Sequence, residues 1–460
     1  MTEIVVAERP TPGHPRPYAF PEFERDRLPN GLSVITVPLP GRPLVTATLV
    51  LRNGAVDEPA GVAGATVLAA RALPEGTEQY DAIALVEASE RLGASLHAET
   101  SWDAMSAGVE VIGERLDAAL ELLAEMVGRP TFPDSEVERL RDERLNDILQ
   151  ARADPRRRAE EAFVETIYTA DSPYHRPASG LEPTVAPLDA AALRAAWQRG
   201  MDPATTTLVV GGDLTGLDVR ALAERLFGGW TTSAGARPQP AIMARPALDK
   251  RLVRLVHRPE SVQTEIRIGH PGLPRRIPDY HALSVMTTIL GGLFNSRLNM
   301  NLREEKGYTY GANAGFDLRR AAGPFAARAA VNTEVTVPAI REMLRELERM
   351  RDEAVTDAEL RASRDYLIGV FPLRFETPGP VVGSIAGLVV HGLPDDELAR
   401  YRDGIEAVNA DDVRTAARAH LHIERAGIVL VGDAERIAAE VEAGDFGPLE
   451  VVRDEVASPA

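Results

Sequence analysis

In the stretch LREEKGYTYGANAGFD, residues 302–317, Arg303 and Tyr310 stand seven residues apart. A guanidinium is charged at any ordinary pH and a phenol donates a hydrogen bond. Together they suit a tetrahedral oxyanion, for which losing one donor costs about 2.7–4 kcal/mol. The same residue types also have a plain structural use. An arginine at a helix C-terminus complements the dipole, and a tyrosine on a half-buried strand is ordinary sheet material. The pattern predicts a helix over 296–305 and a left-handed stop at Gly307. A strand through TYGANAGF should follow, with Tyr310, Ala312 and Ala314 on one face.

Little else in the chain has the spacing of a reactive site. There is no phosphate-binding G-x-x-x-x-G-K-[ST], no G-x-G-x-x-G after a strand and no G-x-S-x-G elbow. The nine histidines form neither H-E-x-x-H nor H-x-x-E-H. His420 and His422, in AHLHIERA, are spaced for one face of a strand. No carboxylate or third histidine completes a metal site there, so they read as strand-end residues beside the core. Cysteine is absent, which removes disulfides, thiolate nucleophiles and Cys-based zinc sites.

The 460 residues have ordinary globular composition, 44% hydrophobic and 26% charged. Asp plus Glu number 69 against 51 Lys plus Arg, a net charge of −18. Nucleic acid binding depends on cationic neutralisation of phosphates, so this balance argues against it. No signal-peptide pattern opens the chain and no apolar run reaches the roughly 18 residues of a membrane span. The expectation is a cytoplasmic protein without a membrane partner.

The elements that must position the Arg/Tyr pair fall into two similar halves. After an extended, Pro-rich lead-in over 1–22, RDRLPNGLSVITVPL reads as a strand pair turning at Asn30-Gly31, and LVTATLVLRNG as a third strand. Helical periodicity covers 61–93, a strand 94–111, helices 113–128, 134–152 and 189–201, and a buried strand 205–214. The run DPRRRAE (154–160) reads as a solvated helix start, with Asp154 as N-cap and Pro155 in the first turn. Residues 231–247, small and Pro-rich, read as a linker. Gly212-Asp213 then recurs as Gly432-Asp433, Leu193-Arg194 as Val413-Arg414, and Arg141-Asp142 as Arg364-Asp365. Ordered matches at near-constant displacement indicate a duplicated module of about 220 residues. The expected fold is α+β: module 23–230, linker 231–247, module 248–460, each a mostly antiparallel sheet covered by helices.

The run LVHRPESVQTEIRIGHPGLPRRIPDYHALSVMTTILGGLFNSRLNMNLREEKGYTYGANAGFD resembles the C-terminal module of the pitrilysin/insulinase-type inverzincin peptidases. It carries their R-P-x-x-x-Q strand, Leu-Gly-Gly turn and S-R-L…R-E-x-K-G-x-x-Y segment. LPNGLSVITV, RLGASLHAETSWDAM and VVGGDL match the first module in outline, so the likeness runs over about 25–445. It implies the mitochondrial processing peptidase-like fold. In active members the helix after G-V-A carries H-x-x-E-H. Here Gly64, Val67 and Leu68 occupy those positions, and none can ligate zinc or take a proton. The third ligand maps near Asp147. A lone carboxylate cannot hold zinc, so Asp147 reads as an exposed helix residue.

The resemblance further implies that Arg303 and Tyr310 match an arginine and tyrosine that reach across to a zinc site and hold the substrate carbonyl. Loss of the zinc residues beside an intact Arg/Tyr segment suggests division of labour. The chain would be the noncatalytic subunit of a heterodimeric zinc peptidase, without its own cofactor. A homologous partner bearing H-x-x-E-H would carry zinc, and unfolded peptide would be the substrate. The edge strand HAETSWD (97–103) could line the chamber. Gly291-Gly292 is only a short turn, so no substrate-binding role of a long glycine loop follows. The competing expectation is a scaffold or peptide-binding protein of the same fold, for which Arg303 and Tyr310 are structural.

Overall fold

The computed structural model describes residues 13, 16–231 and 241–453. Most of the expected lead-in before residue 16 and most of the expected linker (232–240) lie outside them. Two six-stranded sheets organise the chain. The first contains β1 (Glu24–Arg27), β2 (Ser33–Pro38), β3 (Leu44–Leu51), β4 (Ser95–Thr100), β5 (Met105–Ile112) and β6 (Thr206–Gly212). The second contains β7 (Leu252–His257), β8 (Gln263–Pro271), β9 (Ala312–Phe316), β10 (Pro324–Asn332), β11 (Gly427–Gly432) and β12 (Leu449–Val452).

Their strand orders are β1-β2-β6-β3-β5-β4 and β12-β7-β11-β8-β10-β9. Without the outermost β1 and β12 the two orders are the same. β2–β6 and β7–β11 are parallel, and the pairs from there to β4 and β9 are antiparallel. The two α+β halves inferred from the sequence repeat are therefore present. The expected single strand over 94–111 is instead the hairpin β4–β5. Ser101 turns it, its backbone N–H bonding Ala104 O and its hydroxyl accepting from Asp103 and Ala104 N–H.

Both faces of each sheet are apolar, the signature of a sheet covered on both sides. Along β6, Leu208 and Val210 join the core formed with the first half's own helices, whereas Val209 joins the core of the second half. Along β11, Ile428 and Leu430 face their own helices, and Val429 and Val431 pack with Phe163 and Ile167. The covering helix on each second face comes from the opposite half. Helix Pro155–Ile167 lies on β8 and β11, and helix Pro378–His391 lies on β3 and β6. The first helix starts as expected, with Asp154 accepting from Arg156 and Arg157 N–H. Its Glu160 receives Arg267 of β8 at 2.8 Å and Arg328 of β10 at 3.1 Å.

The halves also meet at their hairpin tips. Arg320, between β9 and β10, pairs with both carboxylate oxygens of Asp57 at 2.9 Å and with Asp103 in the β4–β5 turn. Arg319 beside it stacks on Trp102 and Tyr174. Ahead of β1, Tyr18 and Phe20 cross to the second half and pack against Phe371 and Phe375.

Candidate functional site

The Arg/Tyr segment departs from regular helix and strand at both residues of interest. A short α-turn at Arg297–Asn299 widens into a π-turn over Met300–Glu305. Asn301 Nδ2 reaches Glu342 and Glu346, each at 2.8 Å. The predicted left-handed stop is present: Gly307 has φ 65°. Its N–H bonds Arg303 O, and Tyr308 N–H bonds Leu302 O.

Tyr310 is not on the strand, contrary to the sequence expectation. β9 begins at Ala312, with Ala312 and Ala314 buried on one face, while Tyr310 occupies the bend before it. The Thr309 hydroxyl accepts from Gly311 N–H and donates to Gly311 O, a local closure that competes with the β ladder. Tyr310 is consequently 92% exposed, and among the described residues its hydroxyl has no hydrogen-bond partner. The Arg303 side chain is 38% exposed; its ion pair, to Glu304, is a loose 3.6 Å. Its guanidinium lies 4.3 Å above the Phe294 ring. No hydrogen bond joins Arg303 to Tyr310, but Asn299 ties their supports together. Its Oδ1 accepts from Ala312 N–H at 2.9 Å, and its Nδ2 donates to Leu293 O at 3.0 Å.

In the first half, the positions expected for a zinc motif are built into the fold in another way. Gly64 caps helix Ala65–Ala72 with φ 98°, and a Cβ there would stand 2.7 Å from Ser179 O. Leu68 is core. Helix Asp134–Ala153 buries Val137, Leu140, Arg144, Ile148 and Ala151. Arg144 donates to Ser179 O and Gly180 O, against the loop that faces Gly64, and pairs with Asp147. Asp147 is thus not the freely exposed residue expected. It is half-buried and also takes both Nη groups of Arg157, which with Arg144 hold its carboxyl below the ordinary range.

Glu58 completes this replacement. Its fully buried carboxylate accepts Gly64 N–H at 2.9 Å and Thr66 N–H at 2.6 Å, with Arg176 at 3.2 Å. Burial raises its pKa, against the helix N–H groups and Arg176. Zinc does not fit here. The motif positions carry no donor atoms, the nearby loop carbonyls are engaged by a permanent cation, and the buried carboxylate is committed to a helix N-terminus. Sequence reasoning missed Arg144, although its position on the stripe Leu140–Arg144–Ile148 is a legible anomaly.

His420 and His422 lie at a helix end rather than on a strand. His420 closes helix Ala410–His420 and bonds Asp279 at 2.6 Å. His422 donates its backbone N–H to Nε2 of buried His270, whose Nδ1 contacts Pro271 O. Accepting at Nε2 and donating at Nδ1, His270 is held as the neutral imidazole. Among the described residues no group of three His, Cys, Asp or Glu side chains is arranged to hold a metal.

Family models match both halves: Insulinase (Peptidase family M16) over 33–177 and Peptidase M16 inactive domain over 187–367. The chain belongs to the peptidase M16 family. An uncharacterized zinc protease of Mycobacterium tuberculosis is 28% identical over 411 residues, covering 89% of this chain and 92% of that protein. The non-peptidase homolog YmxG of Helicobacter pylori is 22% identical, covering 84% and 89%. The M16 inactive domain from Pseudomonas fluorescens superposes with a TM-score of 0.82 at 24% identity, over 89% of this chain and 98% of that one. A protease from Helicobacter pylori gives 0.84 at 20%, over 90% and 100%. The likeness to these solved structures is one of fold. The M16 zinc-motif positions hold Gly64, Val67 and Leu68 here, none of which offers a metal donor or a proton-accepting side chain.

Proposed function

We propose that this chain is the noncatalytic subunit of a two-chain zinc peptidase acting on unfolded peptides in the cytoplasm. A homologous partner bearing H-x-x-E-H would supply the zinc and the general base. This chain would present Arg303 and Tyr310 to the scissile carbonyl and form part of the chamber wall. The observation that supports the reading is the state of Tyr310: a phenol held almost wholly in solvent, its hydroxyl unpartnered among the described residues, seven positions after an arginine whose ion pair is a loose 3.6 Å contact. A tyrosine used for packing would be buried; a free phenol and a loosely paired guanidinium suit an oxyanion formed on a molecule from outside the chain. The uncharacterized zinc proteases among the relatives fit a peptidase context.

The test combines the purified chain with an H-x-x-E-H homologue and follows cleavage of an unstructured peptide. Arg303→Ala and Tyr310→Phe are each expected to lower kcat by about a hundredfold or more while leaving the chain folded. Activity of the pair that is indifferent to both substitutions would replace this reading with a scaffold role.

A further inference from the structure

Arginines in this fold are usually aimed by carboxylates. Arg297, six residues before Arg303, is held by two hydrogen bonds to Glu359, at 2.6 and 3.1 Å. That arrangement orients a guanidinium but occupies its N–H groups and neutralises its charge. Arg303 is treated differently. Glu304 is adjacent and loose, and the firm contact is with the face of Phe294, 4.3 Å from the guanidinium carbon.

Stacking uses the π face of the guanidinium and leaves its in-plane donors free. It therefore fixes direction without consuming what the direction is for. Phe294 itself is 63% exposed, so its ring gains little from burial at that place. Its backbone is nonetheless well fixed. Ser296 N–H closes the turn onto Leu293 O at 3.1 Å, and Asn299 Nδ2 bonds Leu293 O and Ser296 Oγ. The same Asn299 accepts from Ala312 N–H, two residues beyond Tyr310. One amide thus sets the platform of Arg303 and the base of Tyr310 in a common frame.

We propose that Phe294 is the positioning residue for Arg303: its exposed ring pre-orients the guanidinium, charge intact and donors free, toward the peptide carbonyl. The inference rests on the two-chain peptidase reading and adds to it a residue that touches neither substrate nor metal. It separates ring from bulk. Phe294→Leu removes the π face but keeps an apolar side chain, whereas Phe294→Trp keeps the face.

In the assembled peptidase, Phe294→Leu is expected to lower kcat about fivefold, the scale of one cation–π contact, with KM and Tm unchanged. Phe294→Trp should stay at the wild-type rate. In the full-length chain alone, the Arg303 Nε–H proton should be shifted upfield by the ring current in wild type and Phe294→Trp, and lose that shift in Phe294→Leu. Wild-type kcat in Phe294→Leu alongside an impaired Arg303→Ala would overturn the positioning role and leave the two-chain reading standing. An unimpaired Arg303→Ala would remove both. Absence of the upfield shift in wild type would overturn the stack on its own.

Discussion

At the scale of single residues, the two halves have gone separate ways. The second half keeps a tyrosine in solvent and a half-buried arginine stacked on Phe294. The first half has turned the positions of a zinc motif into packing. Gly64 shows how firmly. Its left-handed conformation and its closeness to Ser179 O leave no room for a side chain, so Gly64→Ala is expected to destabilise by about 1–3 kcal/mol, measured by urea unfolding. For the same reason the triple change Gly64→His, Val67→Glu, Leu68→His should not recover zinc. Metal analysis of that variant is expected to match wild type, because the first ligand cannot be seated without moving the 179–180 loop. The sequence makes the absence of ligands plain, since it is a matter of residue type. It hides Glu58 and Arg176, because their partners are backbone atoms and each other, far apart along the chain.

At the scale of elements, regular pattern was legible and interruption was not. The alternation Ala312–Ala314 identifies β9 correctly, yet Tyr310 leaves the strand because Thr309 closes a local hydrogen-bonded turn. The π-turn over Met300–Glu305 is tied by Asn301 to the distant helix Thr336–Asp352, a contact that no local propensity records. The His420–His422 spacing of two suggested a strand, but capping placed the pair at a helix end. Their neighbour His270 gives the element a pH dependence. Burial, with His422, Arg425 and His420 nearby, pushes its pKa down to about 3, although Pro271 O favours the charged form. The unfolded chain, with an ordinary histidine pKa of about 6.5, therefore binds the extra proton between these values. Stability present above about pH 6.5 is lost as pH falls through that window, by about 1.4 kcal/mol per pH unit for one proton. Urea midpoints at pH 7, 6 and 5 should show a shallower slope in His270→Gln.

At the scale of the whole molecule, the internal repeat was visible in the sequence, but the exchange of covering helices was not. Helix Pro155–Ile167 reads as ordinary amphipathic helix, and nothing in it names the sheet it will cover. The hairpin-tip contact was equally hidden. Arg320 stands between two largely buried carboxylates, Asp57 and Asp103. Arg320→Ala is expected to cost about 3–5 kcal/mol by removing the cation that both carboxylates share. A double cycle with Asp57→Ala should recover part of that loss. Small-angle scattering of the single variant should report a larger radius of gyration as the tips separate.

The exchanged helices also constrain how the protein is made. When β6 has emerged from the ribosome, one face of the first sheet still lacks its cover, because helix Pro378–His391 has not been translated. The helix Pro155–Ile167, meanwhile, waits for strands that do not yet exist. Nascent chains halted before residue 378 are expected to be protease-sensitive throughout and to recruit chaperones to the bare sheet. Chains extended to the end of β11 should gain protection in both halves at once. The molecule would thus be born as one cooperative unit, despite its ancestry as two copies.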